Sequence, residues 1–266
     1  MNNTCSIILA AGEGTRMKSD KPKVLSEVLF KPMISWVIDS VEESEIKDIC
    51  IIAGFKQEML TNYLKSEGKN IQIALQQERK GTAHAVMMAK NFLEGNHGKD
   101  ILILNGDAPF IDSATIKNSY QSHKNNNNAA TVISAVISEP FGYGRIVRNK
   151  QGELISITEQ KDASDEIQKI NEVNSGAYWF NVDHLLKVLY QIKSDNAQNE
   201  YYLPDAIKIL INEGLKVGSY ISESENVILG ANDFWQLNKL NDIARKEKLK
   251  GLMLNGVNIP CTDGII

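Results

Sequence analysis

The 266-residue sequence is defined first by what it lacks. No run approaches the roughly 18 consecutive apolar residues of a membrane-spanning helix, so no membrane partner is expected. There is no excess of basic residues: 29 Lys and Arg face 33 Asp and Glu, for a net charge of −4. With no basic stripe, nucleic acid is not expected as a partner. Any anionic ligand must then be held locally, by a few placed side chains and backbone amides. Cysteine is scarce and odd in number. Cys5, Cys50 and Cys261 have no C-x-x-C spacing, and two of them lie in apolar runs. They read as small core residues rather than metal or redox ligands. Reduced thiols fit the cytoplasm. The chain enters a strand-like run almost at once, without the charged and then apolar opening of a secretory leader, so a cytoplasmic protein is expected. Neither His84 nor His184 sits beside a Ser or Cys in a triad-like pattern, and both read as packing or capping residues of helices.

What is present is the composition of a globular chain with a real core, 42% hydrophobic and 23% charged. Its length suits one large α/β domain, or one domain plus an appendage. Through the first half, β-rich runs alternate with helical periodicity. "CSIILAA" precedes "MISWVIDSVEES", where Ile34, Val37, Ile38 and Val41 recur at helical spacing. "DICIIAG" precedes "QEMLTNYLKS", "IQIALQ" precedes "GTAHAVMMAKNFL", and "DILILNGD" follows as another strand. Such alternation argues for a parallel sheet covered by helices. In the second half, "AATVISAVI", "ELISITEQ" and "SGAYWF" read as strands. "VDHLLKVLYQI" and "YLPDAIKILINE" read as helices, "NNNN" (125–128) as a polar turn. A final helix is expected from about Asp233 to Gly251, with Phe234, Leu237, Leu240 and Ala244 as its apolar stripe.

Ligands of open parallel sheets bind outside the carboxyl ends of the strands, and two strand ends carry chemistry. One is "LAAGEGTRM" (9–17), where an apolar run meets Gly12, Gly14 and then Arg16. Glycines let backbone amides approach a phosphate closely. Arg16, Lys21 and Lys23 could clamp a polyphosphate, the arginine as a planar fork and the lysines as point charges. A Walker A loop requires Gly before Lys-Ser/Thr, but Met17 precedes Lys18-Ser19. A dinucleotide loop requires a third glycine where Met17 stands, which weakens a nicotinamide-dependent oxidoreductase reading without removing it. The other loaded strand end is "LILNGDAPF", which sets Asp107 beyond an apolar strand.

"LAAGEGTRM" followed by "KPKVL" resembles the signature of the sugar-phosphate nucleotidyltransferases. "LQQERKGTAHAV", "LILNGDAPFI", "FGYGRIV", "ITEQKDAS", "VNSGAYWF" and "LGANDFWQLN" follow in family order. Together they are similar to the uridylyltransferase domain of bifunctional bacterial enzymes that make UDP-N-acetylglucosamine, over nearly the whole chain. The implied fold is α/β, a Rossmann-like, mostly parallel sheet with a C-terminal linker helix. The implied organisation is a uridylyltransferase domain over 1–230, a linker helix over 231–251, and at 252–266 the start of a missing left-handed β-helix. The glycine loop is shared by many nucleotidyltransferases, whereas the full set of motifs is specific.

The resemblance also distributes roles. Leu9, Ala10, Ala11, Gly12 and Gly14 belong to the nucleotide loop, with Arg16 and Lys23 as catalytic residues on the triphosphate. Gln76 reads the uracil edge, an amide offering both donor and acceptor. Gly81 and Thr82 lie against the base. Asp107 and Asn232 are the metal ligands. A carboxylate and an amide oxygen are a sensible start for Mg²⁺, which takes its remaining oxygens from phosphates and water. On the sugar side stand Gly144, Glu159, Asn174 and Asn105. Asn105 replaces a tyrosine usual in the family, which puts that packing contact in doubt. Pro204 in "EYYLPD" replaces the family's threonine.

The implied reaction joins UTP to N-acetylglucosamine 1-phosphate, giving UDP-N-acetylglucosamine and pyrophosphate. A phosphate monoester, with a second pKa near ~6, is largely dianionic at neutral pH and needs no general base. Rival readings are uridylyl transfer to another hexose 1-phosphate, or a non-catalytic nucleotide-binding subunit of the same fold. Fifteen residues after the final helix cannot supply the stacked coils of a β-helix. The sequence is therefore expected to carry no acetyl-coenzyme A site and to be mainly monomeric, with a trimer expected only if the β-helix were present.

Overall fold

The structure is a computed structural model that describes residue 1 and residues 3–264. The chain opens with β1 (Thr4–Ala10), whose buried Ile7 and Ile8 face opposite sides of the sheet, into two separate cores. After the glycine loop, a short hairpin of β2 (Glu27–Val28) and β3 (Lys31–Pro32) leads into α1 (Met33–Glu43). Then come β4 (Asp48–Ala53), α2 (Gln57–Ser66) and β5 (Gln72–Leu75). The expected single helix over 81–93 is two, α3 (Thr82–Met87) and α4 (Lys90–Glu94). Met88 and Ala89 donate to carbonyls three residues back, a tightening that interrupts the α-helical ladder. Next are β6 (Asp100–Asn105), α5 (Ser113–Asn125), capped by Asp112, and β7 (Ala130–Val136).

A hairpin of β8 (Arg145–Arg148) and β9 (Leu154–Thr158) follows, then α6 (Asp165–Gln168) and the long β10 (Glu172–Asn181). Beyond it are α7 (Val182–Leu189), α8 (Asp205–Asn212), β11 (Val217–Ile221) and α9 (Phe234–Leu254). Among the described residues the large sheet has the order β11-β7-β10-β6-β1-β4-β5, with β8 pairing β10 and β9 pairing β8. β1 is parallel to β4 and β6, β4 to β5, and β7 to β11. In this row β10 alone is reversed, antiparallel to both β6 and β7. The mostly parallel α/β sheet therefore holds, with one inversion. That inversion matters to the site: the amino-terminal part of β10 lies at the edge where its neighbours end.

Helices cover both faces. One core gathers β1, α3 and α4 with α7 and α8; the other gathers α1 and α2 against the opposite side. Cys5 and Cys50 are buried in the sheet and Cys261 is exposed. Burial pushes the Cys5 thiol up to about 12, as expected for an inert core thiol. The final helix runs to Leu254, three residues past its expected end. Its buried residues are Leu240, Ala244 and Leu249, the first two packed with Val28, Met33 and Ala231. Phe234, expected in the apolar stripe, is 61% exposed: it is the first residue after the Asp233 cap and lies before the helix reaches the body.

Candidate active site

The glycine loop leaves β1 at the carboxyl edge and turns back over it. Gly14 adopts φ 64° and precedes a single 3-10 turn, Thr15–Met17. A side chain at position 14 would be strained at that φ and would bring its Cβ to 2.7 Å from the Cβ of Lys23. Gly14 thus lets the Lys23 side chain lie across the loop. Met17, at the position where a dinucleotide loop needs glycine, is 1% exposed and anchors the loop to the body. A second 3-10 turn, Lys23–Leu25, buries Val24 and Leu25 and leaves Lys23 directed into the cleft.

There the Lys23 ammonium forms an ion pair with Asp107 and donates to Asn232 Oδ1 at 3.0 Å. Asp107 and Asn232 come from opposite ends of the sequence, one after β6 and one before α9. Gly230 permits their approach: a Cβ there would stand 2.9 Å from the Asp107 carbonyl oxygen. Gln236, one turn into α9, accepts from the Asn232 amide at 2.7 Å and fixes that loop. One carboxylate oxygen and one amide oxygen therefore already converge on a single cation, the lysine ammonium. The donor set suits a hard divalent ion that draws its other ligands from phosphate and water. Among the described residues no cluster of three or more His, Cys, Asp or Glu offers a self-sufficient metal cage.

Two cavities meet at this point. One, of about 330 Å³, is lined by Ala10, Ala11, Gly12, Lys23, Gln76 and Gly81. The other, of about 550 Å³, is lined by Arg16, Gly144, Glu159, Asn174 and Asn232. Leu9, Thr82, Asn105 and Asp107 line both. Of the residues expected in the site, all but Gly14 and Lys21 line one of the cavities; Gly14 sits beneath Lys23, and Lys21 is exposed on the loop, outside both cavities.

Gly144 and Glu159 lie fifteen positions apart, yet they flank the register pair Arg145–Thr158 where the β8–β9 hairpin opens. A Cβ at Gly144 would be 3.0 Å from Glu159 Oε1. No described side chain donates to the Glu159 carboxylate. Its pKa is raised, first by burial and then by Asp162 and Asp205, against the opposing pull of Arg145. A carboxylate so placed suits hydroxyl groups of a neutral ligand. Arg145, fully buried, holds the hairpin mouth: it donates to the Tyr143 carbonyl and, at 2.9 Å, to Gln160 Oε1, which also accepts from the Gly142 amide.

On β10, Asn174 donates to the Tyr178 hydroxyl at 2.6 Å and accepts from the Gly176 amide. The register slips between Asn174 and Ala177, a bulge at Ser175 and Gly176. Gly176 has φ 79°, and any Cβ there would collide with Asn105 Nδ2. The Asn105 amide thus packs against the bare backbone of Gly176. Sequence reasoning missed several lining residues, among them Arg79, which pairs with Glu13 across the glycine loop, and Phe141 and Tyr143 of the hairpin mouth. His84, expected as a packing or capping residue, lies in α3 and lines neither cavity; its Nδ1 is 3.0 Å from Gln76 Nε2, so it packs behind a lining residue.

Residues 5–243 match the family model of the nucleotidyl transferases. The chain belongs to this family. It is 45% identical over 258 residues to the bifunctional protein GlmU of Clostridium perfringens (strain SM101 / Type A), covering 97% of this chain and 56% of that one. It is 41% identical over 261 residues to the bifunctional protein GlmU of Caldanaerobacter subterraneus subsp. tengcongensis, covering 97% and 55%. The chain thus spans about half the length of the curated relatives it matches. The solved structure of UDP-glucose pyrophosphorylase complexed with UDP-glucose superposes with a TM-score of 0.74 at 18% identity, over 92% of this chain and 99% of that one. That likeness concerns the fold. Open α/β sheets bind ligands outside the carboxyl ends of their strands, which is where the two cavities lie.

Proposed function

We propose that this chain is a UTP:N-acetylglucosamine-1-phosphate uridylyltransferase, releasing pyrophosphate and UDP-N-acetylglucosamine. The observation that carries the reading is the junction of the two cavities at Asp107, with cations reaching it from the glycine loop. The similarity to GlmU proteins supports the same assignment. The smaller cavity takes UTP: loop amides of Ala11 and Gly12 and the Lys23 ammonium hold phosphates, and Gln76, Gly81 and Thr82 meet the base. The larger takes the sugar, whose hydroxyls satisfy Glu159 while Asn174 and the Gly144 backbone fix its orientation.

The sugar phosphate is its own nucleophile. One phosphate oxygen attacks the α-phosphorus in line, the bond from that phosphorus to the β-phosphate bridging oxygen breaks, and pyrophosphate leaves with the electron pair. No residue of the site has to remove a proton. The work of the chain is to align two anions and offset their charge. Arg16 and Lys23 face the charge that grows on pyrophosphate. Asp107 and Asn232 would hold Mg²⁺, which would supply Lewis-acid chemistry for the phosphoryl transfer. The Lys23 ammonium, which in this structure contacts those same oxygens, would turn to the triphosphate. Residues 1–230 form the transferase unit and α9 the linker. Among the described residues no helix is long and apolar enough to cross a membrane, and a cytoplasmic place fits the chemistry.

The test is pyrophosphate release with UTP and a panel of sugar 1-phosphates in the presence of Mg²⁺. N-acetylglucosamine 1-phosphate should give the highest kcat/KM. Equal rates with glucose 1-phosphate would refute the sugar assignment, and no release with any of them would refute transfer itself.

A further inference from the structure

We infer that His84, acting with the Gly81 carbonyl, fixes which edge of the Gln76 amide faces the nucleotide, and so helps to separate uracil from cytosine. The inference rests on the reading of Gln76 as the residue that meets the base. Gln76 follows β5, is 5% exposed, and has its backbone amide tied to the Ala53 carbonyl at 2.8 Å. Its side chain has little room, so the orientation of its amide is the open variable. The Nε2 atom lies 3.1 Å from the Gly81 carbonyl oxygen and 3.0 Å from His84 Nδ1. A carbonyl only accepts, which puts nitrogen and not oxygen on that side. An imidazole carrying its proton on Nε2 presents Nδ1 as a second acceptor. The two N–H bonds of the amide are then both used. Among the described residues nothing donates to Gln76 Oε1, and the residue lines the smaller cavity.

An acceptor at the base edge suits uracil, whose N3 carries a proton. Cytosine has a bare lone pair at N3, so the same edge would set acceptor against acceptor in a confined place. His84 is thus a positioning residue. It contacts no substrate, but it withholds from Gln76 the flipped orientation that cytosine requires. Position 84 opens α3, two residues after Thr82, and the ring lies beside Tyr201 with 6.4 Å between ring centroids. Its location on a helix rather than a loop keeps the acceptor fixed.

The test compares kcat/KM for UTP and CTP in the full chain, with N-acetylglucosamine 1-phosphate as second substrate. His84→Leu keeps volume and loses the acceptor; the UTP:CTP ratio should fall by about tenfold, the weight of one hydrogen bond in such a site. His84→Asn places an amide oxygen near the Nδ1 position and should restore the ratio, whereas His84→Gln, with its polar atoms one bond further out, should not. Gln76→Glu is the control for the underlying reading. If Gln76→Glu lowers the ratio and His84→Leu does not, Gln76 reads the base and His84 does not position it. If Gln76→Glu leaves the ratio intact, the base-reading role falls and this inference falls with it. A ratio lost equally in the Leu and Asn variants marks plain packing and overturns the inference. Should the Leu variant not fold, equal ratios in the Asn and Gln variants overturn it.

Discussion

Asp107 and Lys23 make the sharpest pair of perturbations, because their replacements should move metal binding in opposite directions. The two side chains are 19% and 14% exposed and form an ion pair, with Asn232 Oδ1 as the second partner of the lysine. Asp107→Ala leaves the ammonium one oxygen in place of two. A partly screened pair of this kind contributes about 1–2 kcal/mol to stability. For a domain of this size that lowers Tm by only a few degrees, on the order of 2–6 °C. The loss in turnover should be larger. One of the two protein oxygens proposed for Mg²⁺ disappears, and a Lewis-acid contribution of about 3–4 kcal/mol corresponds to a fall of roughly 150- to 1,000-fold in kcat. Lys23→Met should also slow turnover, since the lysine is assigned to the triphosphate. Without nucleotide, however, it should tighten Mg²⁺ binding, because the ammonium no longer competes for the two oxygens. Calorimetric titration of each variant with Mg²⁺, alongside pyrophosphate release at saturating Mg²⁺, reads both effects. An Asp107→Ala enzyme within threefold of wild type would refute the metal assignment. Weaker Mg²⁺ binding in Lys23→Met would refute the competition.

Arg16→Ala should lower kcat by about 10- to 100-fold while leaving KM for the sugar phosphate near its original value, since charge on the leaving group grows only towards the transition state; an unchanged kcat with a raised sugar-phosphate KM would contradict this. Glu159→Gln should weaken sugar-phosphate binding and flatten its pH dependence. In the native enzyme burial raises the Glu159 pKa, so affinity should fall on acidification at a higher pH than an ordinary glutamate would give, as binding isotherms across pH 4.5–8 would show. Asp100→Asn probes stability away from the site. Burial alone would raise the pKa of this carboxyl, but His123 and Lys124 outweigh it and hold the group below 3.8. A depressed folded pKa gives stability that is present above 3.8 and lost as pH falls through the folded value. The variant should therefore lose on the order of 3 kcal/mol near neutrality, with the gap to wild type narrowing in denaturant titrations as pH falls below 3.8.

The parts of the fold legible in the sequence are those whose signal is local. β1, β4 and β6 are short apolar runs bounded by turns and buried on both faces, and they fall where the residues place them. The glycine loop was equally legible, because close backbone approach requires particular residues at particular positions. Partnership was not. Nothing local in "VNSGAYWF" says that this strand runs against its neighbours, since a strand buried on both faces reads the same in either direction. Its bulge depends on Gly176 meeting Asn105, a contact across 71 positions that neither residue announces by itself.

The same limit explains why the site could be named but not assembled. Asp107 and Asn232 are linked in sequence only by resemblance; in space they are linked by Gly230, which removes the side chain that would hold their loops apart, and by Gln236, which ties the Asn232 amide to α9. Glu159 reaches the larger cavity because the β8–β9 hairpin pairs with reversed β10 and so carries its open end to the carboxyl edge of the sheet. Reversal of one strand therefore does chemical work. In an all-parallel sheet the amino end of that strand would lie on the far edge, and Asn174 and the hairpin with it. The larger cavity would lose one wall, and the sugar phosphate would have no fixed line of approach to the α-phosphate. The inversion is thus the feature that gives the carboxyl edge its second cavity, the one proposed for the sugar phosphate.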